Sequence, residues 1–177
     1  MKLCGYNRLV NFALRDFRRE DFDSLWRIDQ ECFAPGIAYS RLELAAYIRL
    51  RGAFTMVAEP LVSEGEKSAK TDFVEFTSAI LGFIVAQARR RAIGHILTID
   101  VSPASRRFGV GSRLLNTAED RLRAAGCHSI VLETAVDNSS ALAFYKRHGY
   151  SVANTIPRYY SNGVDAFVLE KELPSAR

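Results

Sequence analysis

The chain has 177 residues, 48% hydrophobic and 25% charged, with a formal net charge of +4; a chain of this length buries roughly 70% of its unfolded surface, which excludes disorder and any need for disulfide or metal staples. Cys4, Cys32 and Cys127 are odd in number and lack CxxC spacing, pointing to reduced thiols in the cytosol. The longest apolar run, Ala79 to Ala86, falls short of the ~20 residues of a membrane span, and Asn7, Arg8 and Asn11 interrupt any signal-peptide core.

In chain order, Val10 to Phe17 predicts a first strand and Glu20 to Cys32 a helix, with Phe22, Leu25, Asp29 and Cys32 at helical spacing. Pro35 and Gly36 break the chain, and Ser40 with Glu43 three positions later predicts a capping box opening a second helix that ends at Gly52. Phe54 to Ala58 reads as a strand and Ser63 to Asp72 as an exposed loop. Ile80 to Ala88 and Ile93 to Val101 predict a hairpin with Arg89, Arg90 and Arg91 at its tip. Leu114, Leu115, Ala118, Leu122 and Ala125 make one helical stripe closed by Gly126, and Ile130 to Val136 reads as a buried strand. Asn138 and Ser139 open a helix ending at Gly149, and strands near Val152 to Ile156 and Ala166 to Glu170 finish the chain. No repeat or linker interrupts this alternation, so residues 1–177 are expected to form one mixed α/β domain.

The segment from Val101 to Ser112 carries the most chemistry. A strand ends, a basic turn with Gly109 and Gly111 follows, and a helix begins. Free amides and the positive dipole at a helix start favour an anion, and glycines let a phosphate approach the backbone. No Lys follows Gly111, which excludes a Walker A loop, and Leu114 stands where a dinucleotide fingerprint needs a small residue. The same glycines would also serve a plain strand-to-helix turn.

Arg106-x-x-Gly109-x-Gly111, followed by Asn138, Ala141, Phe144, Tyr145 and Gly149, resembles the GNAT superfamily of acetyl-coenzyme A-dependent N-acetyltransferases. Leu132 to Thr134 with Asn138 to Tyr150, Arg158 to Tyr160 with Asp165, and Leu14 to Phe17 through Cys32 and Phe33 look closer to one branch, the ribosomal-protein alanine and protein N-terminal acetyltransferases. Two stretches depart from that pattern: Ser63 to Asp72 is longer than the family's turn, and Phe33 to Tyr39 matches poorly. The resemblance implies a central, mostly antiparallel twisted sheet of about seven strands flanked by about four helices. It places the coenzyme A pyrophosphate on Arg106, Arg107, Phe108, Gly109, Val110, Gly111 and Ser112, and the pantetheine arm along Ile99, Asp100 and Val101. Asn138 would contact that arm, while its reading as a helix N-cap stays open. Glu133 is implied as general base and Tyr145 as general acid, with Phe33, Tyr39, Arg158, Tyr159 and Tyr160 on the substrate side.

A carboxylate on the apolar strand Ile130 to Thr134 is expected to be desolvated, with its pKa raised toward a useful range. Cys127 and His128 are neighbours that point apart and cannot pair as nucleophile and base. His95, His128, His148 and the cysteines lack metal-ligand spacing, so no metal site is expected. The expected partners are acetyl-coenzyme A and a protein or peptide N-terminus, without a membrane. The modest charge argues against nucleic acid, although the crowded arginines point to some anionic partner. Acetylation of a lysine, polyamine or small-molecule amine, or a noncatalytic coenzyme A-binding role, are the competing readings.

Overall fold

The computed structural model describes residues 11–61 and 80–174, so the loop expected at Ser63 to Asp72 and the residue Cys4 lie outside the described residues. Strands β1 (Phe12–Asp16), β2 (Ala53–Pro60), β3 (Gly82–Arg89) and β4 (Ile93–Val101) form an antiparallel meander. Helix α1 (Phe22–Cys32) and helix α2 (Arg41–Ile48) lie between β1 and β2, and α3 (Val110–Ala124) crosses from β4 to β5 (Ser129–Ala135). Helix α4 (Ser139–Arg147) leads to β6 (Ser151–Ile156), and β7 (Ala166–Glu172) inserts between β5 and β6, giving the order β1-β2-β3-β4-β5-β7-β6. The predicted sheet of about seven mostly antiparallel strands with about four helices is what forms.

Alternation along the strands divides the apolar side chains between the two faces. Ile84, Ala86, Ile96, Ile130 and Leu132 pack with Leu114, Leu115, Ala118 and Leu122 of α3. Phe83, Val85 and Val57 pack with Leu25 and Ile28 of α1 and Leu44 of α2. Ser40 and Glu43 close the predicted capping box at the start of α2. Helix α1 begins later than Glu20, because Arg19–Asp21 form a 3-10 turn in which the Asp21 carboxylate accepts hydrogen bonds from the Arg18 amide and the Arg15 guanidinium.

Two irregularities create the site. First, Val85 pairs with Thr98 and Ala86 with Ile96, so Leu97 is an extra, bulged residue of β4. The bulge puts Leu97 and Thr98 in succession toward the α1–α2 face while Ile96 and Ile99 stay toward α3. Second, the only parallel pair among the described residues, β4 with β5, is in register solely at Ile93–Ser129, Gly94–Ile130 and His95–Val131. Beyond His95 the two strands part, opening a cleft through the middle of the sheet.

Candidate active site

The cleft walls are β4 from Ile96 to Val101 and β5 from Leu132 onward. Glu133 lies two residues past Val131, the last residue opposite β4, and shares the α1–α2 face with Val131 and His95. Its Oε2 is 2.7 Å from His95 Nε2. The Glu133 side chain is 19% exposed and that of His95 only 6%, so incoming groups reach the carboxylate and meet the imidazole behind it. His95 Nδ1 is buried without a hydrogen-bond partner among the described residues.

Burial alone would raise the Glu133 pKa. The His95 hydrogen bond and charge, with Arg89 adding to them, more than offset this and hold the carboxyl below its ordinary value. The raised pKa expected from the sequence is therefore corrected. A strand's composition reports desolvation but not the partner that a parallel neighbour supplies.

Tyr145, on the α3–α4 side of the sheet, is buried edge-on against Phe144 and Tyr150, at centroid distances of 5.2 Å and 5.5 Å. Its hydroxyl makes no hydrogen bond among the described residues, and burial followed by the Asp100 charge keeps its proton on at neutral pH. Glu133 and Tyr145 thus lie on opposite faces of the sheet.

At the far end of β4, Gly109 is the N-cap of α3 with a left-handed φ of 82°, and no atom lies within 4 Å of where a Cβ would sit. The first turn of α3 has no side-chain cap and no acidic residue, leaving its amides and positive dipole open to an anion. Gly111 is close-packed instead: an added Cβ would stand 3.5 Å from both Phe144 and Val101. Arg107 and Phe108 are exposed, whereas the Arg106 guanidinium turns back to the Val101 carbonyl (3.1 Å) and Cys32 Sγ (3.4 Å). Val110, at the first position of α3, is buried, and Ser112 is half-buried. This open cradle fits a pyrophosphate through backbone amides. Asn138 acts as the N-cap of α4, its Oδ1 accepting from Ala141 N at 3.1 Å and Ser140 Oγ at 3.0 Å. Ile99 and Val101 face α3, while Asp100 is fully buried toward α1 with Oδ2 unpartnered.

On the substrate side, Tyr39 donates its hydroxyl to the carbonyl of the bulged Leu97 at 3.1 Å and packs edge-on against Tyr47. The loop bearing Tyr39 is fixed by Asp29, whose Oδ2 accepts from the Tyr39 amide (2.9 Å) and from Gln30, and by Trp26 Nε1 on the Tyr39 carbonyl. Phe33, the C-cap of α1, is half-buried at the start of that loop. Tyr159 and Tyr160 stand edge-on at 5.0 Å in the β6–β7 connection, and the Glu133 charge bears on both. Arg158, with φ of 51°, is held through its amide by Asp165 at 2.7 Å. Ser161 Oγ donates to the Gly36 carbonyl at 2.9 Å, so the α1–α2 loop and the β6–β7 connection meet across the cleft. His95 and Tyr47 belong to this site and were not singled out from sequence. The available signal for His95 was its odd-position alternation with Leu97 on a strand expected to border Glu133.

The family model described as Acetyltransferase (GNAT) family matches residues 16–150. An uncharacterized N-acetyltransferase of Methanocaldococcus jannaschii is 36% identical over 104 residues, 58% of this chain and 66% of its own length. N-alpha-acetyltransferase 30 of Schizosaccharomyces pombe is 38% identical over 74 residues, 42% of this chain and 49% of its own. The match therefore spans between about half and two thirds of these curated relatives. Among solved structures, Ard1 from Thermoplasma volcanium superposes with a TM-score of 0.77 at 26% identity, covering 94% of this chain and 100% of the other. A NatC complex bound to Gag peptide and CoA gives 0.71 at 26%, covering 93% and 99%. The ribosomal-protein-S18-alanine N-acetyltransferase of Escherichia coli, at 20% identity, shares the fold with a TM-score of 0.73 over 94% of this chain and 96% of that one.

Proposed function

Because the chain belongs to the acetyltransferase (GNAT) family, we propose that it transfers the acetyl group of acetyl-coenzyme A to the α-amino terminus of a polypeptide, by direct attack in a ternary complex. The amine nitrogen forms the new bond to the acetyl carbon as the carbon–sulfur bond breaks. Glu133, directly or through water, takes the proton lost by the amine, and Tyr145 gives its hydroxyl proton to the departing sulfur. The cradle of Gly109 and the first turn of α3 would hold the pyrophosphate, and the parted edge of β4 would take the pantetheine arm.

The observation that carries this reading is the Glu133–His95 pair at 2.7 Å at the mouth of the cleft. A carboxyl held below its ordinary 4.5 is a weak base. Proton transfer to it is uphill from an α-ammonium of about 7.7–8.0 and considerably more so from a lysine of about 10.4. A base so tuned supports an acceptor that is already partly neutral at pH 7, and an α-amine is that acceptor. The names of the N-alpha-acetyltransferase relatives of Schizosaccharomyces pombe and Arabidopsis thaliana point the same way, and the name of the E. coli neighbour is in keeping with a ribosomal protein as acceptor.

Thiol release from acetyl-coenzyme A, measured with peptides beginning Ala, Ser, Met or Gly in free and N-blocked form, tests the proposal. Turnover abolished by blocking is expected. Equal turnover of blocked peptides through a lysine, or turnover only with polyamines, overturns the α-amine reading. Cofactor binding without any turnover overturns the enzyme reading.

A further inference from the structure

Five arginines lie together at one end of the sheet, outside the site just described. Arg49 and Arg51 flank the turn from α2 into β2, and Arg89, Arg90 and Arg91 form the β3–β4 tip. The two turns are fastened side by side: the Ala88 amide donates to the Gly52 carbonyl at 3.0 Å, and Gln87 Nε2 donates to the Arg51 carbonyl at 2.9 Å. Gly52 is required there, since a Cβ would stand 2.7 Å from the Ala88 carbonyl oxygen. Between the turns is a concavity of about 540 Å³ lined by Arg51, Gly52, Gln87, Ala88, Arg89 and Arg90.

All five arginines are exposed, and among the described residues none is in a salt bridge, although Arg15, Arg41, Arg121 and Arg123 all are. The tip also holds Arg91 and Ala92 in the left-handed region, at φ of 64° and 57°, a conformation that costs non-glycine residues energy. Like charges crowded without counterions call for an anion from outside.

The patch adjoins the active site. Arg89 continues the alternation of Phe83, Val85 and Gln87 on the α1–α2 face, the face of Glu133, and its charge bears on both Glu133 and Tyr159. Counting four residues along β5 and two strands across, Arg89 stands about 16 Å from Glu133, or about five residues of extended chain. A polypeptide whose amino group meets Glu133 and that runs toward this end of the sheet reaches these arginines at about its fifth residue.

We propose that this surface docks acidic side chains of the acceptor polypeptide, about five to eight residues after its N-terminus, and so selects acceptors with acidic early segments. The inference rests on the α-amine reading above. It favours a peptide over RNA because the patch is continuous with the acceptor path. Stacking platforms for bases are sparse there, since Tyr159 and Phe108 are the two aromatics among the exposed large hydrophobics of the described residues, and Tyr159 alone is within reach of Arg89's charge.

The test compares peptides identical in their first four residues and carrying either Glu or Gln at positions five to eight. Both are assayed with the wild-type protein and with a triple variant, Arg51→Gln, Arg90→Gln and Arg91→Gln, which leaves Arg89 and the catalytic groups in place. In wild type the acidic peptide should show kcat/KM about five- to tenfold higher at low salt, through KM with kcat unchanged. Added salt and the triple variant should each erase that advantage, while the Gln peptide behaves alike with both proteins. Equal kcat/KM for the two peptides in wild type overturns the proposal. If neither peptide is acetylated, the α-amine reading fails on its own, and anisotropy of the labelled peptides decides docking: tighter Glu-peptide binding lost in the variant upholds it, and equal binding overturns it. Loss in the variant of single-stranded RNA binding alone, without any peptide preference, assigns the surface to RNA and overturns the proposal.

Discussion

Glu133 feels two opposing influences, burial pushing its pKa up and the His95 contact pulling it down, and the second prevails. Its carboxylate is therefore ionised throughout the range in which the amine titrates. The rise of kcat/KM with pH should follow the acceptor α-amine, climbing until about pH 7.7–8.0 and showing no separate break between pH 5 and 6 from Glu133. Glu133→Gln should lower kcat/KM about 10²- to 10⁴-fold in initial-rate assays. Tyr145→Phe removes a hydroxyl that makes no hydrogen bond among the described residues, so its thermal midpoint should stay close to wild type while kcat falls about 100-fold or more. A Tyr145→Phe protein with unchanged kcat would remove this hydroxyl from the reaction.

Among the elements, the α1–α2 loop is held in part by a buried carboxyl. Asp29 is fully buried, and burial pushes it up to about 6 despite the hydrogen bonds from Tyr39 and Gln30, which pull the other way. A carboxyl raised in the folded state stabilises the fold fully below its unfolded value of 3.8, and that contribution is lost as pH rises through about 6. Over pH 4 to 7 the loss amounts to about 2 kcal/mol. Urea unfolding should show wild type losing stability across this window, with Asp100, also raised by burial, acting in the same sense. Asp29→Asn, which cannot titrate, should flatten the Asp29 share of the slope. It should also raise the peptide KM, because the same side chain fixes Tyr39, which holds the bulged Leu97 carbonyl. An unaltered pH slope in Asp29→Asn would show that the group titrates normally.

On the scale of the whole molecule, the cleft is a break in the sheet. A parallel pair that stops at His95 leaves the two halves of the sheet joined there by three residue pairs, together with the helices packed across them. Coenzyme A, if it binds the native state there and not the unfolded chain, should stabilise it by about 2.7 kcal/mol at a hundred times its Kd. For a chain of this size that is a rise of about 5–10 °C in the thermal midpoint. A concentration series in scanning calorimetry should reach this rise, and a flat series would mean that coenzyme A does not occupy the cleft. No helix among the described residues is long and apolar enough to cross a membrane.

The elements themselves were legible in the sequence because their causes are local. The Ser40–Glu43 capping box, the Leu114 to Leu122 stripe and the two runs of the β3–β4 hairpin follow from neighbours a few residues apart, and the glycine cradle before α3 was visible for the same reason. Most ends shifted by a residue or two, as before α1 where Arg15 engages Asp21, while α2 closes at Ile48 with Arg49 as its C-cap, short of the expected Gly52, which instead takes a left-handed turn into β2. Only the tertiary structure decided what lies across the cleft. The Leu97 bulge depends on pairing with β3, and the partnership of His95 with Glu133 joins residues 38 apart through parallel strands. That Glu133 and Tyr145 lie on opposite faces depends on which side of the sheet each helix covers. Local spacing fixes an element because the forces within a turn or a strand act over neighbouring residues; a pKa or a partner is fixed by charges within a few ångströms, and folding alone determines which residues those are.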